Sequence, residues 1–321
     1  MKKTLALVLV LTLAMCLAAC GAGAEKTAVR VGSLKGPTTM GLVQLMHAEE
    51  TANDYTFTME ATPDALTPAL VRGDLDIALI PANLASVLYN KTEGGLQVCA
   101  INTLGVLYVI ENGDTVHSVA DLAGKKIYST GQGATPEYGL RYILAGNGLD
   151  PDKDVEIEFK SEAAEVASAM LSEEGAVAVL PQPFVTSVLM QNETARVALS
   201  LTDEWDAIGN GSAMITGVAV VRKAFAEENP EAVQAFLTEY AASTSYVNEN
   251  PAEAAEWIVE MEIVGKAPIA EKAIPACNIV CITGAEMQRK LSGYLKALFE
   301  QEPEAVGGAL PDAQFYYVPE N

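Results

Sequence analysis

From Val29 onward, short apolar runs alternate with stretches whose apolar residues recur every three or four positions. Val29–Val31 reads as a strand. Gly36-Pro37-Thr38-Thr39 turns into a helix carrying Met40, Val43, Leu45 and Met46, and Thr56–Met59 alternates as a strand does. Thr62-Pro63 and Thr67-Pro68 each have the form of a helix start, a threonine cap followed by proline. Because proline breaks a helix interior, the pattern predicts two short turns there, ended by Gly73. Asp76–Ile80 is a buried strand, and Pro81-Ala82-Asn83 opens a helix. Strands follow at Gln97–Ile101, Gly105–Ile110 and Lys126–Ser129, with a short capped helix over Ser118–Gly124. Gly131-Gln132-Gly133-Ala134-Thr135-Pro136 leads into a helix that ends near Gly146-Asn147-Gly148. Val155–Phe159, Ala176–Leu180 and Arg196–Leu199 are strands separated by helices near 162–172 and 184–191.

After Gly217 the character changes. Val218–Val221 is the last clear strand. Asn229-Pro230 and Asn250-Pro251 start helices over about 230–249 and 251–261. Met287, Leu291, Tyr294, Leu295 and Leu298 mark one face of a helix near 285–300. Strand–helix alternation of this kind predicts α/β architecture with mainly parallel sheets and right-handed crossovers.

The start of the chain follows another rule. Met1-Lys2-Lys3 is basic, Thr4–Met15 is almost purely apolar, and Leu17-Ala18-Ala19-Cys20 precedes Gly21. The apolar run is shorter than the ~20 residues a membrane span needs. A basic start, a short apolar core and small residues before a cut read as an export signal. Residues 1–19 are expected to be the signal peptide, and 20–27 a tether beginning at Cys20.

Composition narrows the function. Among 321 residues there are 42 acidic and 20 basic ones, a formal charge of −22. That balance excludes a face gripping nucleic-acid phosphates. Beyond Cys20 only Cys99, Cys277 and Cys281 remain, enough for one internal disulfide at most. Cys277-x-x-x-Cys281 has no nearby histidine or further cysteine to complete a zinc site, so no metal is expected. The chain carries no Walker A, G-x-S-x-G or H-E-x-x-H motif. Gly131-x-Gly133 is not a dinucleotide fingerprint, because Pro136 stands where a third glycine is needed. His47 and His117 read as surface histidines, and Asp74 and Asp76 as structural charges flanking a strand. No catalytic residue and no cofactor is expected.

Five segments together resemble one family. The Leu17-Ala18-Ala19-Cys20 run is similar to the lipobox of bacterial lipoproteins, in which the cysteine is acylated. Val31-Gly32-Ser33-Leu34-Lys35-Gly36-Pro37 and Arg72-Gly73-Asp74-Leu75-Asp76-Ile77-Ala78 are similar to the opening ligand loop and the "G-x-x-D-I-A" strand of solute-binding lipoproteins of bacterial ABC importers. The closest group is the NMT1/SsuA-like branch (nitrate, sulfonate, taurine and thiamine precursors). Asp121-Leu122-Ala123-Gly124-Lys125-Lys126-Ile127, then Gly131-Gln132-Gly133, resembles the start of that family's second lobe. Gly148-Leu149-Asp150-Pro151 with Asp154-Val155 resembles the link that follows.

The resemblance implies a two-lobed periplasmic-binding-protein fold of type II. Each lobe would be a mostly parallel sheet flanked by helices. The hinge crossings would lie near Asn102–Gly105 and Ala213–Gly217, giving lobe one as 28–103 plus 217–321 and lobe two as 104–216. It further implies capture of a small organic solute, a sulfonate-like anion or a heteroaromatic vitamin precursor, between the lobes. The partners would be an ABC permease and its ATPase, with the membrane touched only through the lipid on Cys20. The protein would work as a monomer on the outer face of the cytoplasmic membrane or in the periplasm. An extracellular sensor, or an enzyme on the same two-lobed fold, is the alternative.

Ligands of open α/β sheets sit at strand carboxyl ends against helix N-termini, which offer free N–H groups and partial positive charge. The candidate ligand residues follow. Lys35, Pro37, Thr38 and Thr39 lie in the first strand-to-helix turn, and Asn83 in the second. Thr103 and Thr216 stand at the crossings. Gln132, Ala134 and Thr135 form the facing turn, chiefly through backbone N–H groups. Gln182 and Phe184 follow a lobe-two strand, with Phe184 suited to stack on a planar solute. Asn278, beside Cys277, rims the cleft from lobe one.

Overall fold

The computed structural model describes residues 26–209 and 211–318. The expected signal peptide, Cys16, the Cys20 expected to carry lipid, and most of the expected tether lie outside the described residues.

The chain enters lobe one through β1 (Ala28–Leu34), α1 (Pro37–Met40), α2 (Val43–His47), β2 (Asp54–Glu60), α3 (Pro63–Arg72), β3 (Ile77–Pro81), α4 (Ala82–Lys91) and β4 (Leu96–Leu104). It passes into lobe two through β5 (Leu107–Asn112), β6 (Lys126–Ser129), α5 (Thr135–Gly146), β7 (Glu156–Phe159), α6 (Ala163–Ser172), β8 (Val177–Pro181), α7 (Phe184–Leu189), β9 (Ala195–Ser200) and α8 (Leu201–Ala207). It returns through β10 (Ile215–Arg222), then α9 (Lys223–Glu228), α10 (Pro230–Glu249), α11 (Pro251–Glu260), α12 (Ala267–Ala273), β11 (Ile279–Ile282) and α13 (Gly284–Gln301).

Sheet one has the order β11-β4-β10-β3-β1-β2 and sheet two β7-β6-β8-β5-β9. In sheet one, β1, β2, β3 and β4 share a direction and β10 and β11 oppose it. In sheet two only β5 is reversed. Strand directions are thus mostly common, as expected, while the neighbour pairings are mixed. The cause lies in the crossings. The strand that enters lobe two (β5) and the strand that returns to lobe one (β10) each slot, reversed, between two strands of the sheet they join.

Two local expectations give way to packing. Residues 63–72 form one helix that runs through Pro68, where two turns were expected. Pro68 is exposed, so the carbonyl it cannot bond lies on the water side. Leu66 and Leu70 are fully buried beneath it, and tertiary burial outweighs the local break. Conversely, the single helix expected after Gly36 is split at Gly41-Leu42. The Ser243 hydroxyl of α10 donates to the Gly41 carbonyl (2.7 Å) and accepts from the Leu45 N–H (3.0 Å), filling the break. A Cβ on Gly41 would stand 2.9 Å from both Tyr240 Oη and Ile279 Cγ2. Three helices and a strand escaped the sequence reading, namely α8, α9, α12 and β11. All are short, and only contacts with the rest of the fold stabilise them.

A continuous apolar cluster joins the lobes, from Leu66 and Ile80 through Met214, Trp205 and Tyr294 to Leu140 and Val179. Trp205 donates its indole N–H to Ser212 (2.8 Å) and stacks on Tyr142 at 4.2 Å. Beneath sheet one, the buried Asp76 carboxylate receives Arg30 through Nε (2.8 Å) and Nη2 (2.7 Å), and Arg222 through Nη2 (2.8 Å). It therefore ties β1, β3 and β10 together. Cys99, Cys277 and Cys281 are free thiols, and burial raises each of them, so they behave as small hydrophobes.

Candidate functional site

The carboxyl ends of β1, β3 and β4 in lobe one and of β6 and β8 in lobe two lead into the turns that carry the sequence-selected residues. The two crossings pass between them. At the first crossing an apolar strand, Val98–Ile101, ends in Asn102-Thr103, both fully buried. Asn102 Oδ1, Thr103 Oγ1 and, on the second crossing, Thr216 Oγ1 are buried without a hydrogen-bonding partner in the protein. Leaving such groups unpaired costs about 1–3 kcal/mol each, a cost also borne by Tyr240 Oη and Thr244 Oγ1 on α10.

These residues adjoin the first turn. Asn102 Nδ2 points at the Thr38 carbonyl (3.4 Å). Gly217 lies where Asn102 Oδ1 and Thr38 Cγ2 converge: a Cβ there would stand 2.4 and 2.7 Å from them. Asn278, in the left-handed conformation (φ 47°), donates its amide to the Gly105 carbonyl (2.5 Å), and its own carbonyl receives Leu104 N–H (3.1 Å). Gln182 joins the same region through its N–H to the Val106 carbonyl (3.0 Å). The structure therefore brings together Thr38, Thr103, Thr216, Gln182 and Asn278 around the crossings.

Several candidate side chains are bonded within the protein. The Thr38 and Thr39 hydroxyls both donate to the Leu34 carbonyl (2.9 and 2.5 Å), which shapes the first turn. Pro37 sits at the first position of α1, and Lys35 beside it is exposed. Asn83 turns away, donating to the Ala305 carbonyl (3.2 Å) and anchoring the C-terminal segment to α4. Gln182 Oε1 caps α7 by accepting from Thr186 N–H (3.2 Å) and Oγ1 (2.8 Å).

In the facing turn, Gln132 is exposed. Ala134 N–H donates to Gly131 (3.0 Å), and Gly133 N–H donates to the Glu137 carboxylate (2.7 Å), so two of the turn's donors are used internally. Thr135 Oγ1 lies 3.4 Å from the Tyr294 hydroxyl of lobe one. Phe184 is 36% exposed. Three residues on, Ser187 of α7 lines a recess of about 430 Å³ together with Met190 and Gln191 and, across from them, Gly265, Lys266, Pro268 and Ile269 of lobe one.

Charge in this region is uneven. The arginines at 30, 72, 141, 196 and 222 are all ion-paired, and Arg289 donates to the Gly211 carbonyl. No arginine clamp is left for a ligand among the described residues. His47 is partly buried and stacked on Trp257 at 4.9 Å, where an exposed face was expected. The indole of α11 covers it. Sequence reasoning missed Asn102, Tyr108 and Tyr294. The Tyr108 hydroxyl donates to the Ala276 carbonyl (2.8 Å) across the lobes. Only the polar pair Asn102-Thr103 closing an apolar strand was visible in the sequence as a signal.

Comparison with known proteins follows this geometry. Residues 45–272 match the family model described as ABC transporter, phosphonate, periplasmic substrate-binding protein. No curated protein matches the chain. Among solved structures, an ABC transporter from Parabacteroides distasonis superposes with a TM-score of 0.79 at 24% identity, covering 92% of this chain and 100% of the other. The periplasmic aliphatic sulphonate binding protein SsuA of Escherichia coli gives 0.73 at 16% identity, covering 92% and 94%. The periplasmic nitrate-binding protein NrtA of Synechocystis gives 0.55 at 18%, covering 82% and 75%. At these identities the likeness is one of fold.

Proposed function

The chain belongs to the periplasmic substrate-binding family of ABC transporters that the phosphonate model describes, and from that premise we propose that it captures a small organic solute bearing a sulfonate-like oxyanion between its lobes. The family is one of substrate-binding transport proteins, not of enzymes. The observation that carries the ligand site is the trio of buried, unpartnered oxygens on Asn102, Thr103 and Thr216 where the two crossings meet. Thr103 and Thr216 hydroxyls can donate to an oxyanion, and Asn102 Oδ1 can accept from a hydroxyl or amino group on the same solute. Lys35 at the end of β1 and Lys266 at the lobe-one rim supply long-range attraction in an otherwise acidic protein. The exposed ring of Phe184 suits the ligand's apolar or planar body, which keeps a heteroaromatic vitamin precursor as the second reading.

Delivery to a permease and its ATPase, export, and anchoring through a lipid on Cys20 complete the proposal. Replacing Cys20 by alanine should then move the protein from the membrane fraction to the soluble one.

The ligand claim is tested by titrating the purified protein with alkanesulfonates, alkylphosphonates, nitrate and thiamine precursors while following its melting temperature. A ligand that binds only the folded state stabilises it by ~2.7 kcal/mol at a hundredfold excess over Kd. Thr103→Val separates binding from folding. The valine removes an unpaired hydroxyl at constant shape, so the melting temperature should hold or rise. Affinity should fall about tenfold with the lost ligand hydrogen bond. Unchanged affinity would place the ligand elsewhere.

A further inference from the structure

The turn that faces lobe one from lobe two already holds an anion of the protein's own. Gly131 and Gly133 are both left-handed (φ 70° and 73°) and open the way into α5. The third residue of α5, Glu137, folds back so that one carboxylate oxygen takes the Gly133 N–H at 2.7 Å. Its other oxygen accepts from Arg141 Nε at 2.8 Å, and Arg141 Nη1 continues to Asp152 at 2.8 Å. Only 12% of the Glu137 side chain is exposed, and its carboxylate is held on both sides. The start of α5 is thus occupied by negative charge at the place where a bound oxyanion would seek N–H groups.

We propose that Glu137 is a specificity-determining residue of the interlobe site, making it accept singly charged oxyanions and disfavour doubly charged ones. The inference rests on the proposed ligand site between the lobes. A monoanion can satisfy its charge on the lobe-one and crossing side, with Thr103 and Thr216, and present its neutral part to Thr135. A dianion needs a second positive environment, and lobe two offers it a carboxylate instead. Repulsion between like charges persists in a site screened from water at separations where bulk water would suppress it.

The neighbours cancel this field only in part. Arg141 lies on the far side of the carboxylate from the turn, and its charge is shared with Asp152. Across the lobe boundary Glu302 lines the same cavity as Glu137, Tyr138 and Arg141. The Tyr138 phenol is raised by burial and by Glu302 and Glu137, and the Tyr294 phenol is pushed up to about 12 by burial, so both stay neutral. On α8, which packs along α5 through Trp205 and Tyr142, the titratable residues are Asp203, Glu204 and Asp206, all acidic. On α13 the neighbouring cations are spoken for: Lys290 pairs with Glu286 and Arg289 with the Gly211 carbonyl.

The test uses a ligand that changes its own charge. Methylphosphonate loses its second proton near neutral pH, whereas methanesulfonate stays a monoanion throughout. Both are titrated into the wild-type protein and into Glu137→Gln from mildly acidic to mildly basic pH. Glutamine keeps an acceptor for the Gly133 N–H and so preserves the turn. In the wild type, phosphonate affinity should fall about tenfold as pH rises while sulfonate affinity stays within about twofold. In Glu137→Gln the phosphonate loss should shrink to about threefold or less. A wild-type phosphonate affinity that is flat or rises with pH overturns the assignment, and so does an equal fall in both proteins, which would trace the effect to the overall negative charge. Should that variant not fold, the same comparison is made with Glu137→Ala, which also removes the charge and leaves the Gly133 N–H to water. If neither ligand binds the wild type at any pH, the interlobe oxyanion site itself fails and takes this inference with it.

Discussion

Asp76→Asn should lower the unfolding free energy by about 3 kcal/mol, read from the denaturant midpoint. The carboxylate is 2% exposed and accepts three side-chain bonds from Arg30 and Arg222, and a fourth from Arg30 N–H at 3.0 Å. Asparagine keeps the shape but offers one acceptor and turns an NH₂ group toward two guanidinium groups. Arg222 still holds the Leu75 carbonyl at 2.8 Å, and Arg30 is 43% exposed and can turn to water. That places the loss at the lower end of what breaking a buried ion pair costs. The same site gives a pH signature. Burial alone would raise the Asp76 carboxyl, but the bonds from Arg30 and then Arg222 outweigh burial and hold it below the ordinary aspartate range. The unfolded chain therefore takes up this proton at higher pH than the folded one. The stabilisation is fully present above the ordinary value of ~3.9 and drains away as pH falls through it toward the folded value. Glu111 acts in the same sense. It is buried, bonded by Thr115 and Val116 and paired with Arg196, and its carboxyl is also held low. Acid unfolding curves should accordingly be shallower, not flat, in Asp76→Asn. A wild-type steepness would show that the ion network adds nothing to acid sensitivity.

The second large effect is expected at Gly217→Ala. Gly217 sits in β10 at an irregularity in its pairing with β4, without a left-handed φ; what excludes a side chain is space. The new methyl would stand 2.4 Å from Asn102 Oδ1 and 2.7 Å from Thr38 Cγ2, both on buried side chains with nowhere to retreat. Overpacking of this kind costs about 1–3 kcal/mol. Here the displaced groups are also those of the proposed ligand site, so affinity should fall by more than about tenfold, beyond the loss expected for Thr103→Val. Measuring stability by chemical denaturation and affinity by calorimetry on one preparation separates the two. A stability loss with unchanged affinity would mean that the junction of the crossings is structural only.

How far the site was legible in the sequence can be read residue by residue. Thr103 and Thr216 suggest themselves because they fall at the expected crossings, and in the folded molecule the hydroxyl oxygens of both are buried without a partner. Asn83 was chosen on the same kind of evidence, a polar residue opening a helix after a strand. Its amide is instead taken by Ala305, 222 positions away. Nothing near Asn83 in the sequence marks that partner. The facing turn was expected to offer free backbone N–H groups, and its glycines are as the motif suggests. Yet Glu137, four residues downstream of Gly133, claims one of them. That contact was within reach of sequence reasoning, since an acidic residue in the first helical turn commonly folds back to cap it.

The sequence alone determined the alternation of strands and helices, the Asn-Pro starts of α10 and α11, the acidic balance and the absence of catalytic motifs. These depend on periodicity, caps and composition, which act over a few residues. Tertiary structure decided whether Pro68 would break α3 and where the helix after Gly36 would split. It also decided which strands would run reversed and which polar groups at the crossings would be left without partners. Each outcome is a competition between a local preference of about one to three kilocalories and burial or hydrogen bonding supplied by distant segments. The Gly105 carbonyl shows the reason most directly. It is satisfied by Asn278, 173 residues further along the chain, and only the folded molecule brings that amide to it.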